Sequence, residues 1–201
     1  IRGRLFVIQG WFAWLKKQGA IIHNPIADIQ IPKQVKRLPR GIMTQEEIRN
    51  VMEKPDLKTA LGYRDRTMME VLYATGARAN ELLNMRIPDV DIEKKVIRIR
   101  QGKGGKDRFV PLSTPCCRFL ERYMSVVRPE LFEGMRPSGN NWINKAGTGG
   151  DILFLSLYGG PVGRTWIGAI MRGYLSKAGI TRAVSPVHSF RHSVATHLLE
   201  S

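Results

Sequence analysis

The side chains best suited to chemistry in this sequence are cationic and lie far apart along the chain: Arg78, Lys103, His188 and Arg191. Two guanidiniums can hold the two non-bridging oxygens of a phosphodiester in bidentate fashion. An imidazole and an ammonium can then move protons on and off the reacting oxygens. His188 and Arg191 are spaced i, i+3, so a helix would carry them on one face. Taken singly, each residue also has a plain structural reading. Arg78 with Glu81 could be a surface ion pair worth roughly 0.2–0.5 kcal/mol. Lys103 could be a solvated turn lysine, and His188 could cap its own helix. It is the set considered together that favours phosphate chemistry.

Two other constellations fail on their chemistry. The glycine turn Gly102-Lys103-Gly104-Gly105-Lys106 lacks the glycine spacing of a nucleotide-binding P-loop. Lys106 is followed by Asp107 and a strand, where that motif needs Ser or Thr opening a helix. His188 and His192 have the i, i+4 spacing of a zinc pair, but Ser189 stands where a metalloprotease helix needs Glu. Arg191 between them is a poor neighbour for a divalent cation, and no third ligand stands out. No metal and no cofactor is expected.

The elements that must position these residues follow from periodicity and punctuation. Leu5, Ile8, Phe12 and Leu15 recur at helical steps, widened by Trp11 and Trp14, and predict a helix from Arg2 to Gln18 that Gly19 ends. One such helix cannot bury that face by itself, so residues 1–24 are read as the terminal helix of an N-terminal helical domain. Pro25, Pro32 and Pro39 break the pattern, and Lys33, Lys36, Arg37 and Arg40 add charge with no acid after Asp28. Residues 25–42 are therefore predicted to be a basic interdomain linker, with an ordinary solvated loop as the equal alternative. Thr44-Gln45-Glu46-Glu47 is a capping box, and a second domain, residues 43–201, is expected to begin there.

Within it, helices are predicted over 64–75 and 77–86, joined at Gly76. Val96 to Gln101 alternates as a strand, with Ile97 and Ile99 on one face and Arg98 and Arg100 on the other. The glycine turn leads into a returning strand over 108–112, and a helix follows over 115–127. The stretch 128–150 reads as a long surface loop, and 152–155 as a short apolar strand. A helix over 165–178 carries Trp166, Ile170 and Tyr174 beside Ile167, Met171 and Leu175. The last helix is set up by Ser185 as N-cap and Pro186 at its first position.

Composition narrows the partner. The 201 residues carry 32 Lys and Arg against 17 Asp and Glu, a net charge of +15. Such an excess favours a polyanion, nucleic acid before membrane, because basic groups displace counterions condensed on phosphates. No run of the sequence is apolar enough to span a bilayer. The two cysteines, Cys116 and Cys117, are adjacent and unsuited to bridging each other, which points to a reducing, cytoplasmic setting.

Three ordered motifs then resemble one family. Thr75-Gly76-Ala77-Arg78-Ala79-Asn80-Glu81-Leu82 resembles the first arginine box of the tyrosine recombinases, the phage-type integrases and Xer-like resolvases. Gly102-Lys103-Gly104, Lys106-Asp107-Arg108 and Val110-Pro111-Leu112 are similar to their β-hairpin lysine segment. His188-Ser189-Phe190-Arg191-His192, continuing Ala195-Thr196-His197-Leu198-Leu199, is similar to their second box. The resemblance implies an α+β, mainly helical catalytic domain with a small antiparallel sheet, the N-terminal domain closing a clamp around duplex DNA. It implies site-specific cleavage and rejoining of DNA through a 3′-phosphotyrosine, without metal or ATP. Arg78 and Arg191 would stabilise the transition state, Lys103 would protonate the leaving 5′-hydroxyl, His188 would assist proton transfer, and Glu81 would orient Arg78. A tetrameric synapse of identical protomers on DNA is implied as well, as is service to a mobile element.

In the family the nucleophilic tyrosine follows the second box, and this sequence has none between Arg191 and Ser201. A core cut at both ends is therefore expected. The alternative is a non-catalytic DNA-binding module that occupies recombination sites. Arg164 and Thr165, together with Lys33, Lys36, Arg37 and Arg40, are candidate DNA contacts by position.

Overall fold

Caps decide the helix boundaries in this chain as much as apolar spacing does. The computed structural model describes residues 2–30, 41–100, 106–133 and 150–200. The chain divides into two compact units, Ile1–Leu38 and Pro39–Ser201. The first is built on α1 (Arg2–Lys17), whose last turn carries Lys16 and Lys17 where cations suit the helix dipole. Leu5, Phe12 and Leu15 are half-buried, while Ile8, Trp11 and Trp14 are exposed. The linker residues Lys33, Lys36, Arg37 and Arg40 lie outside the described residues.

The second unit opens with α2 (Gln45–Met52) and the expected capping box. Thr44 Oγ1 accepts from the Glu47 N–H at 3.1 Å, and the Glu47 carboxylate accepts from the Thr44 N–H at 2.9 Å. α3 (Ala60–Thr75) begins four residues before its predicted start, because Thr59 caps it through a 3.1 Å bond from Gly62 N. A Cβ at Gly62 would lie 2.1 Å from Asp56 O, so the turn into α3 admits glycine alone. α3 packs against the helices Thr114–Arg122 and His188–Glu200, and Met68, Met69, Val71 and Leu72 along it are fully buried. A helix covered on all sides is apolar on more than one face.

α4 (Ala79–Leu83) is shorter than the predicted 77–86, since Arg78 is its N-cap and Ile87–Asp89 tightens into a 3₁₀ turn. A three-stranded antiparallel sheet follows in the order β1 (Val90–Asp91), β2 (Val96–Ile99), β3 (Arg108–Pro111). In its register Ile97 faces Val110 and Ile99 faces Arg108. Ile97 and Ile99 are buried, as their alternation predicted, while Arg98 pairs with Asp107 and Arg100 with Asp89. The two-residue β1 is too short to leave any alternation in the sequence.

α5 (Thr114–Arg122) starts at the Ser113 cap and runs through a π-type turn, Tyr123–Val127, into α6 (Arg128–Glu133). The loop expected from 128 is thus helical to Glu133. Arg128 donates to Gly150 O at 2.6 Å and to Ile152 O at 2.8 Å, which draws its guanidinium inward. The run 152–155 is not a strand but two isolated bridges, Arg86 with Ile152 and Leu155 with Pro161. Its backbone bonds are split between backbone and side chains: Leu153 N donates to Met85 O at 2.9 Å, Tyr123 Oη accepts from Leu155 N at 3.2 Å, and Arg64 Nη1 donates to Leu155 O at 2.9 Å.

α7 (Arg164–Lys177) buries Ile167, Met171 and Leu175 on one face, with Ile170 and Tyr174 at its margin and Trp166 exposed. α8 (His188–Glu200) starts later than Pro186, because Pro186 and Val187 form a preceding turn, with Ser185 O accepting from Ser189 N at 2.8 Å. The unit is mainly helical with one small antiparallel sheet, an α+β domain. Among the described residues no helix is long and apolar enough to cross a membrane.

Candidate active site

α3 ends at Gly76, whose φ of 58° is the left-handed cap conformation that glycine adopts without steric cost. Thr75 Oγ1 accepts from the Ala77 N–H at 3.1 Å and fixes the exit of the chain. Arg78 follows as the cap of α4. Its backbone N–H donates to Glu81 Oε2 at 2.8 Å, and its Nη1 donates to Glu81 Oε1 at 2.8 Å. The i, i+3 pair read from the sequence is therefore present, but it is no surface pair, for the Glu81 side chain is only 7% exposed.

A second guanidinium closes on the same carboxylate. Arg108, the first residue of β3, donates through Nη1 to Glu81 Oε1 at 3.1 Å and through Nη2 to Glu81 Oε2 at 2.7 Å. Burial alone would raise the Glu81 carboxyl; the hydrogen bonds from Arg108 and from the backbone and side chain of Arg78 outweigh it and hold it at about 2. In return Glu81 raises the Arg108 guanidinium above its usual range. Arg108 has no role that the sequence alone announces. Its signal was the basic run Lys106-Asp107-Arg108 at the start of a strand, which does not name a partner so far away.

Arg191 reaches the same place from α8, where its Nη1 donates to the carbonyl of Gly76. Burial, and next the positive charge of Arg78, push its guanidinium below the usual range; Glu81 opposes the fall and Arg108 adds to it. Arg78, Arg108 and Arg191 thus share one local field with Glu81, and three guanidiniums against one carboxylate leave an excess of positive charge. Arg78 keeps 38% of its side chain exposed, so the cluster opens to an anion from solution. His188 is the first residue of α8, exposed and one turn before Arg191. The helix is anchored by Ser193, whose Oγ accepts from the buried Met43 N–H at 2.8 Å.

The structure brings together Arg78, Glu81 and Arg191, with His188 on the helix that carries Arg191. Lys103 and the glycine turn around it lie outside the described residues. Arg164 and Thr165 are the exposed first residues of α7, behind a Gly163 cap that makes no side-chain bond. A helix start of this kind leaves N–H groups for an anion. Among the described residues no three His, Cys, Asp or Glu side chains gather as metal ligands.

The five tyrosines are placed elsewhere. Tyr63 and Tyr123 are buried, the Tyr73 hydroxyl is 3.0 Å from His197 Nδ1, and the Tyr174 hydroxyl donates to Asp65 at 2.9 Å. Tyr158 is exposed in the turn before α7.

Known proteins share this arrangement of chain. The model of the phage integrase family matches residues 42–201. Tyrosine recombinase XerC 2 of Ralstonia nicotianae is 34% identical over 199 residues, which cover 99% of this chain and 53% of the relative. Tyrosine recombinase XerD of Staphylococcus haemolyticus is 37% identical over 190 residues, covering 94% of this chain and 58% of the relative. Among solved structures, the XerH site-specific recombinase bound to difH substrate superposes with a TM-score of 0.66 at 26% identity, over 95% of this chain and 52% of that one. The chain spans somewhat over half the length of the curated relatives it matches.

Proposed function

The chain belongs to the phage integrase family, and from that premise we propose that it is the core of a site-specific recombinase that cuts and rejoins duplex DNA by transesterification. The observation that carries this reading is the convergence of Arg78 and Arg191 on the segment around Gly76 and Glu81, a cationic cluster open to solution. A phosphodiester carries one negative charge and gains another as the phosphorus becomes five-coordinate, so fixed guanidiniums bind the transition state more strongly than the ground state. In this proposal Arg78 and Arg191 hold the non-bridging oxygens. His188 assists proton transfer, and Lys103 protonates the leaving 5′-oxygen. Glu81 holds Arg78.

Residues 43–201 would be the catalytic domain, 25–42 a basic linker, and 1–24 the last helix of a second DNA-clamping domain. Arg164, Thr165, Lys33, Lys36, Arg37 and Arg40 would contact the DNA backbone. The protein would act in the cytoplasm as a homo-oligomer assembled on its DNA sites. In this proposal the attacking hydroxyl comes from a tyrosine outside these 201 residues: Tyr63, Tyr73, Tyr123 and Tyr174 are committed to packing or hydrogen bonds, and the exposed Tyr158 precedes α7 instead of following the Arg191 box.

Binding and chemistry are tested separately. Duplex affinity should fall roughly a thousandfold or more between about 50 and 200 mM salt. The chain alone should leave no denaturant-resistant adduct on a nicked duplex. A chimera that continues it with the C-terminal segment of the Staphylococcus haemolyticus relative should form one. Arg78→Ala or Arg191→Ala in that chimera should slow adduct formation at least about a hundredfold while leaving duplex binding nearly intact. Affinity indifferent to salt, or variants that cleave as fast as the parent, would overturn the reading.

A further inference from the structure

Glu81 is the junction between two elements, the cap of α4 and, 27 residues beyond Glu81 in the chain, the start of β3. Each of its oxygens serves both. Oε1 accepts Nη1 of Arg78 and Nη1 of Arg108; Oε2 accepts the backbone N–H of Arg78 and Nη2 of Arg108. The fork–fork geometry, two parallel N–H bonds to one carboxylate, is thus taken by Arg108, and Arg78 gives Glu81 a single side-chain N–H. A carboxylate left with one guanidinium draws that guanidinium into the same bidentate pairing. Without Arg108, the available fork would be that of Arg78.

Resting on the phosphate-site reading above, we propose that Arg108 is a positioning residue: by occupying Glu81 bidentately it keeps Arg78 from closing onto that carboxylate and leaves the remaining Arg78 donors to the phosphate. Glu81 is then a tether of set strength. It orients Arg78 through one bond, and Arg108 limits it to that bond. Arg108 itself is placed by β-sheet register, opposite the buried Ile99, so its reach to Glu81 follows from the hairpin and not from a flexible loop.

The test titrates the chain with inorganic orthovanadate, a phosphate-sized oxyanion, followed by vanadium NMR, with thermal melting to verify folding. Arg108→Ala should weaken orthovanadate about tenfold, and Arg108→Lys should recover part of the loss, because an ammonium engages Glu81 without the fork. In a Glu81→Gln background, where no carboxylate competes for Arg78, removing Arg108 should change the affinity less than about twofold. That non-additivity is what a merely structural or long-range electrostatic role would not produce. Equal weakening in both backgrounds, or no weakening by Arg108→Ala, overturns the proposal. If Arg108→Ala fails to fold, the same comparison is made with Arg108→Lys, whose partial loss should likewise vanish in the Glu81→Gln background. Should neither Arg78→Ala nor Arg191→Ala weaken orthovanadate, the phosphate-site reading itself fails, and the role of Arg108 with it.

Discussion

Glu81→Gln removes a negative charge from between Arg78 and Arg108 while keeping the size of the side chain. The carboxyl titrates near its ordinary 4.5 in the unfolded chain and near 2 in the folded one. A carboxyl depressed by folding adds stability that is fully present above the unfolded value and is lost as pH falls through the folded value. At 1.36 kcal/mol per pH unit, the interval between 4.5 and about 2 corresponds to roughly 3 kcal/mol. Arg78 and Arg108 are 38% and 34% exposed, however, and water screens their side of the pairing, which brings the expected figure down to about 2 kcal/mol. The assay is urea unfolding of the parent and of Glu81→Gln at fixed ionic strength, at several pH values from about 7 down to 3. The parent should lead by about 2 kcal/mol at pH 7 and pH 5, and by less than half of that at pH 3. Other carboxylates, such as Glu47, which Arg182 holds at about 2, titrate in both proteins and cancel from the difference. A difference that stays constant from pH 7 to 3 would refute the reasoning, as would a Glu81→Gln variant as stable as its parent at neutral pH.

What the sequence made visible was local. The box Thr75 to Leu82 holds Gly76, Arg78 and Glu81 within one turn and its cap, so the left-handed exit and the Arg78–Glu81 pair follow from neighbours in the chain. The period-two run of β2 announced that Ile97 and Ile99 face the core, and the capping box at Thr44 announced α2. What it hid was satisfied at a distance. The run 152–155 looks like a strand because it is apolar, yet its backbone bonds are scattered: Leu153 N donates to Met85 O, and the Leu155 backbone bonds to Tyr123 and to Arg64, 91 residues away. The Gly, Pro and Asn content after 127 predicts a loop and masks the helix that ends at Glu133. The sequence gives Arg108 no visible role, because its partner lies on another element and the strand register delivers it there. Arg78 and Arg191 stand out by their chemistry, and what holds Arg191 beside the Arg78 box is a backbone carbonyl, that of Gly76, which no residue type could advertise.

Two further outcomes follow from bonds that fix α3 and α8. Ser193→Ala strips the buried Met43 N–H of its 2.8 Å acceptor and should cost about 1–3 kcal/mol in urea unfolding; unchanged stability would mean that another acceptor takes its place. Gly76→Ala forces a Cβ into a residue at φ 58°, a conformation that costs an L-residue about 1–2 kcal/mol. The new Cβ would stand 3.9 Å from Arg191 Cγ, an ordinary contact, so crowding adds nothing and backbone strain is the whole expected loss. Relief of that strain turns the Gly76 peptide, whose carbonyl holds Arg191, so orthovanadate affinity should fall along with stability. Gly76→Asn separates this cause from any other, because asparagine tolerates the left-handed region better than alanine. It should recover a good part of both losses, and an asparagine variant as impaired as the alanine one would show that strain at Gly76 is not what sets the position of Arg191.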